Sequence, residues 1–230
     1  MNREPTTLLI DADDTLWENN IYFEQVAKEF VAALEKRGHH PDHVGRLHTE
    51  ADQRNIKVAG YGSRGFSYSL RAVAQQLGVS DLDDWIQEKE NWICHHPIEL
   101  MAGVRETLPL LHDVNRTILL TKGRKEEQLG KLERSGLGQF FHAAEVVFEK
   151  SIETYHDMIA KYHLSPGETW MIGNSPRSDI NPAKAAGLGA VFIPYHTTWW
   201  HEHEEITTVD RTHVLENFGQ LADHFVRKSG

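Results

Sequence analysis

A chain of 230 residues, 40% hydrophobic and 25% charged, can bury one large core or two small ones, which excludes a disordered protein. Its net charge of −10 argues against nucleic acid or an acidic membrane surface as a general partner, and its one cysteine, Cys94, excludes an intrachain disulfide. The opening Met1-Asn2-Arg3-Glu4-Pro5 leads into an apolar run too short for a signal peptide or a membrane span, so the expectation is a soluble cytoplasmic protein, monomer or homodimer.

The first element is a buried strand, Thr7 to Asp11, that runs into Asp13, Asp14 and Thr15. Asp11 and Asp13 are two apart, so on an extended chain their carboxylates share one face. Adjacent carboxylates repel, and a hard cation such as Mg²⁺, which takes oxygen ligands, relieves them. An Asx-type turn after the strand accommodates the same residues without any metal.

From Trp17 to about Pro97 the pattern is helical throughout. Tyr22, Phe23, Val26, Phe30, Val31 and Leu34 mark a first helix that Gly38 stops. A second helix runs from Asp42 to about Ala59, and the loop Gly60-Tyr61-Gly62-Ser63-Arg64-Gly65 follows. A third carries Leu70, Val73, Ala74 and Leu77, and Ser80 caps a fourth with Leu82, Trp85, Ile86 and Trp92. Four helices inserted after such a strand make a separate lid, with Trp17, Trp85 and Trp92 in its core.

After Pro97 helices and strands alternate. The spacing predicts a helix over 103–112, a strand from Arg116 to Thr121, and a helix from Lys125 to Ser135 that ends at Gly136. Then come a strand from Glu145 to Phe148, a helix capped by Ser151 and reaching Tyr162, and a strand from Glu168 to Ile172. A helix from Asp179 to Ala186, a strand from Ala190 to Pro194 and a last helix from Leu215 to Arg227 complete the chain. Such alternation implies an α/β protein, a Rossmann-like parallel sheet with helices on both faces. In these sheets ligands sit beyond the carboxyl ends of the strands.

Leu119-Leu120-Thr121-Lys122-Gly123, then Lys150, then Met171-Ile172-Gly173-Asn174-Ser175-Pro176-Arg177-Ser178-Asp179-Ile180 all fall at such ends. With the Asp11 stretch they resemble the four ordered motifs of the haloacid dehalogenase-like (HAD) hydrolases. The resemblance implies a core of residues 1–16 and 98–230 with a helical cap at 17–97. It implies that Asp11 is the nucleophile and a Mg²⁺ ligand. Asp13 is the general acid/base and lends its backbone carbonyl to the metal. Thr121, Lys122 and Lys150 fall where the family binds phosphate, and Asn174 and Asp179 where it binds Mg²⁺. Lys122 replaces the usual Asn, Ser151 the usual Pro after the lysine, and Asn174 the usual first acid of the last motif. Asn174 offers an oxygen but no charge, and Asp179 can equally cap the helix after it.

The chemistry agrees with that pattern. A phosphate dianion meeting a carboxylate at 4 Å costs about 4 kcal/mol at an effective dielectric of about 20, which a bridging cation removes. Asp11 can then accept the phosphoryl group, and Asp13 can protonate the leaving oxygen and later activate water. The dehalogenases that name the family lack the second acid, so Asp13 favours a phosphatase. The expectation is a Mg²⁺-dependent phosphatase that hydrolyses a small phosphorylated metabolite through an aspartyl-phosphate. A phosphomutase uses the same residues, and a catalytically silent regulatory protein fits Asn174. In relatives with such a cap, an interhelical loop touches the substrate, which nominates Tyr61 and Arg64. In Tyr195 to His203, His196 or Trp199 can line the entrance, His201 and His203 make a weak metal pair, and a dimer contact is as good a reading.

Overall fold

The protein is described by a computed structural model covering residues 6–197, 202, 204–207 and 209–226. Six parallel strands form one sheet: β1 Thr7–Ile10, β2 Arg116–Lys122, β3 Ala143–Val147, β4 Thr169–Gly173, β5 Gly189–Phe192 and β6 Thr212–Val214. Their order is β3-β2-β1-β4-β5-β6, so the chain reverses direction across the sheet at β1 and β4. Helices follow as α1 Asn20–Glu35, α2 Pro41–Ala59, α3 Ser63–Gln76, α4 Asp83–His95, α5 Val104–Val114, α6 Lys125–Ser135, α7 Ile152–Tyr162, α8 Asn181–Ala185 and α9 Leu221–Phe225. None of them is long and apolar enough to cross a membrane.

The central strand shows why this sequence makes a covered sheet. Leu8, Leu9 and Ile10 are all fully buried, and the two-residue period sends them to opposite faces. Leu8 and Ile10 pack with Leu108, Leu111, Leu119, Ile172 and Phe218, beneath α5. Leu9 packs with Ile118, Leu120, Tyr155, Met158 and Met171, beneath α7. Both faces therefore carry helices, as a Rossmann-like α/β sheet requires.

Contacts divide the chain into two compact units, residues 1–20 with 98–230, and residues 21–97. The second unit is helical, and its core is Val26, Phe30, Leu34, Val44, Leu47, Leu70, Val73, Ile86 and Ile93. Each of these helices contributes an apolar stripe at three- and four-residue spacing.

Several expectations are corrected. Trp17 is fully buried in the core of the first unit, not the second, because its indole Nε1 donates to Asp13 Oδ1 at 2.8 Å. Ser80 does not cap α4, whose N-cap position is Leu82 with no side-chain hydrogen bond. The loop after α2 is shorter than expected, since Ser63, Arg64 and Gly65 already form the first turn of α3. Gly65 must be glycine there, because a Cβ would lie 2.0 Å from the Gly60 carbonyl oxygen. The helix expected from Asp179 begins instead as a π-turn, Pro176–Ile180, before α8. The last helix is a 3₁₀ turn, Phe218–Gln220, followed by the short α9.

Candidate active site

β1, β2 and β4 are neighbours, so the residues just past their carboxyl ends are brought together, and the segment after β3 joins them. Asp11 continues the β1 ladder by donating its N–H to the Ile172 carbonyl of β4 at 2.9 Å. Its carboxylate is buried. Oδ1 accepts from the Lys150 ammonium at 2.5 Å, and Oδ2 accepts from the Thr15 hydroxyl at 3.0 Å. The same hydroxyl lies 3.4 Å from Asn174 Oδ1.

Lys150 Nζ also donates to Asp179 Oδ1 at 2.6 Å, so one ammonium bridges two carboxylates. Asp179 Oδ2 accepts the Ser175 backbone N–H at 3.0 Å, and Tyr155 of α7 donates to the Ser178 carbonyl at 2.9 Å. These bonds fix the π-turn and aim Asp179 back at the sheet. Burial pushes the Asp11 carboxyl up to about 7; Lys150 opposes the rise and Asp179 adds to it. Burial works against the Lys150 ammonium, yet Asp11 and Asp179 together hold its pKa above the ordinary lysine value.

Asp13 faces a second set of donors. Lys131 and Gln128, both on α6, and Trp17 donate to its two oxygens at 2.8 to 3.1 Å. Desolvation would raise its pKa, but Lys131 and these hydrogen bonds hold it below the ordinary carboxylate value. Asp14, at φ +60°, accepts the backbone N–H groups of Asn19 and Asn20 at 2.8 and 3.0 Å and so caps α1. Burial lifts its carboxyl to about 8.

Thr121 is buried at the end of β2, its hydroxyl 3.4 Å from the Lys122 carbonyl. Lys122 Nζ bonds Ser178 Oγ at 2.8 Å and Glu202 Oε1 at 2.5 Å, and lies 3.4 Å from Glu149. Glu202 also accepts from Ser178 Oγ at 2.5 Å and from Ser175 Oγ. Burial opposes its charge, but Lys122 and the hydroxyls hold its carboxyl down at about 2. Lys122 is thus engaged by acids of the protein itself.

The oxygens on the page suit a hard cation. Asp11 Oδ1 and Asp179 Oδ1 share one ammonium, which keeps them within about 5 Å of each other, and Asn174 Oδ1 shares a hydroxyl with Asp11 Oδ2. Among the described residues no three His, Cys, Asp or Glu side chains converge in a metal-holding group. The set is two carboxylates and an amide, which matches the loss of one acid at Asn174.

Tyr61 and Arg64 lie in the second unit, at the α2–α3 turn, where Arg64 is exposed. Trp199, His201 and His203 lie outside the described residues. Sequence reasoning missed Gln128, Lys131, Tyr155 and Glu202. Gln128 and Lys131 are three apart on one helix face, a polar pair on the buried side. That is a legible signal, but it needs the helix's orientation first. Glu202 carries none.

The sequence pattern of the haloacid dehalogenase-like hydrolases matches residues 5–187. The glyceraldehyde 3-phosphate phosphatase of Pyrococcus furiosus is 24% identical over 204 residues, covering 84% of this chain and 82% of that protein. The phosphoglycolate phosphatase of Photobacterium profundum is 28% identical over 137 residues, 56% of this chain and 57% of that one. A haloacid dehalogenase-like family hydrolase from Xanthomonas campestris superposes with a TM-score of 0.81 at 26% identity, covering 97% of this chain and 95% of that one.

Proposed function

This chain belongs to the haloacid dehalogenase-like hydrolase family, and from that premise we propose that it is a Mg²⁺-dependent phosphatase acting on a small phosphorylated metabolite. The observation that carries the proposal is the buried Asp11 carboxylate, bridged to Asp179 through Lys150 and tied to Asn174 through Thr15. Two distant relatives named as phosphatases, 24% and 28% identical, support the same reaction class.

Asp11 attacks phosphorus as the bond to the leaving oxygen breaks, giving an aspartyl-phosphate. Asp13 gives the leaving oxygen its proton, then takes one from the water that attacks the phosphorus and frees Asp11. Lys150 neutralises charge between nucleophile and phosphate, and Thr121 with the backbone N–H groups beside it holds a phosphoryl oxygen. Asp11, the Asp13 carbonyl, Asn174 and Asp179 are the residues that would hold Mg²⁺, which when bound offsets the repulsion between carboxylates and dianion. Lys122 belongs to the same phosphate-binding face. The helical unit acts as a substrate-selecting cap, and Tyr61 and Arg64 are its candidates for touching the substrate.

The test is phosphate release from a panel of phosphate esters with Mg²⁺. Asp11→Asn keeps the shape of the side chain and removes the nucleophile, so turnover should fall at least about a thousandfold while the circular dichroism stays unchanged. Full activity in that variant ends the proposal.

A further inference from the structure

Lys131 is a lysine with 2% of its surface exposed, on a helix that otherwise looks like a surface element. A buried ammonium is tolerated when its N–H groups all find acceptors. Here they do. Nζ lies 2.9 Å from Asp13 Oδ1, 3.1 Å from Asp13 Oδ2 and 2.7 Å from Asn19 Oδ1. Three donors meet three acceptors.

From the acid's side the count closes as well. Oδ1 accepts Lys131 and the Trp17 indole at 2.8 Å, and Oδ2 accepts Lys131 and Gln128 Nε2 at 2.8 Å. An ionised carboxylate offers about four lone-pair sites, and four N–H contacts fill them. The Gln128 amide is held with its nitrogen inward, because that nitrogen also donates to the Lys122 carbonyl at 2.9 Å. None of these donors can accept an O–H in return. Asp13 can carry a proton only after one of the contacts opens.

We propose that Lys131 is a positioning residue that parks Asp13 as a saturated carboxylate, so that proton delivery to the leaving oxygen requires this ion pair to open. The inference rests on the phosphatase reading, in which Asp13 is the acid. Lys131 is the strongest of the three holds, since it alone reaches both carboxylate oxygens and carries full charge. It also binds Asn19, in the connection that leads out of the first unit, which fixes both ends of the clamp.

The experiment is Lys131→Met, which keeps length and removes charge, assayed on two esters. Glycerol phosphate has an alkoxide leaving group that needs a proton, whereas 2,4-dinitrophenyl phosphate does not. The kcat ratio of alkyl to aryl ester should rise about threefold or more, because the freed Asp13 takes up its proton more readily. Equal change on both esters, or a fall in the ratio, overturns the proposal. Lys131→Arg keeps the charge and should hold the ratio at its original value; a rise matching the Met variant overturns it too. Should Lys131→Met fail to fold, Gln128→Leu removes one contact on Oδ2 and should raise the ratio in the same direction, and an unchanged ratio counts against the clamp. The Trp17 indole N–H resonance reports the clamp without turnover: it should shift in Lys131→Met, and a fixed resonance refutes the hold. Loss of phosphatase activity in the unsubstituted protein sinks the reaction class and leaves that resonance to decide about Lys131.

Discussion

Gly173 ends β4, and a Cβ there would lie 2.2 Å from Asp179 Oδ2 and 2.4 Å from its Cγ. No side chain fits unless Asp179 moves, which would take it off Lys150 and off the Ser175 N–H. Gly173→Ala should therefore lower turnover at least about a hundredfold and destabilise the fold by about 2 kcal/mol, measured by kinetics and by urea denaturation. Glu202 makes a different contribution, through charge. Its carboxyl is held at about 2 against an ordinary 4.5, so the stability it lends is present above pH 4.5 and lost as pH falls toward 2. Glu202→Gln should remove that acid-limb dependence, on the order of 3 kcal/mol at neutral pH, and parallel melting curves between pH 5 and 3 would refute it. Either residue is a single side chain, but each acts by holding others: Gly173 by making room, Glu202 by occupying Lys122, Ser175 and Ser178.

At the scale of elements, α6 is where sequence and structure agree most closely. Lys125–Ser135 with Gly136 at φ +70° is what periodicity and a glycine stop dictate. The same reasoning places α7 with its Ser151 cap, whose hydroxyl accepts the Thr154 N–H. It fails where tertiary contacts decide. β6 is a three-residue edge strand with no buried position, so it has no apolar alternation to read. The π-turn at Pro176–Ile180 exists because Ser175 and Tyr155 hold it, and neither bond is visible in a local window. In the site, Asp11, Thr15, Lys150, Asn174 and Asp179 were legible because they sit just beyond strand ends. Lys131 was not, because its burial depends on which face α6 turns to Asp13. The loop after β4 also carries the family departure at Asn174, an uncharged oxygen donor. Asn174→Asp should tighten Mg²⁺ binding about tenfold by calorimetry, and an unchanged Kd would place residue 174 away from the ion.

At the scale of the molecule, two separate cores imply two separable stabilities. Phe30 is fully buried among Val26, Leu34, Val44 and Ile86, all in the second unit. Phe30→Ala should cost that unit about 3–5 kcal/mol, and hydrogen exchange should speed up in α1 to α4 while β1 and β4 keep their protection. Equal loss of protection in the sheet would mean that the units unfold as one. The net charge of −10 sets the background in which the site must work. Asp11 and Asp179 share the single positive charge of Lys150, so this nest holds one more minus than plus. A doubly negative ester is turned away from such a nest, whereas a doubly positive ion is drawn in and leaves it with a surplus of one plus. Order of arrival is thereby written into three side chains: cation first, ester second, and free phosphate gone before the ion needs to leave.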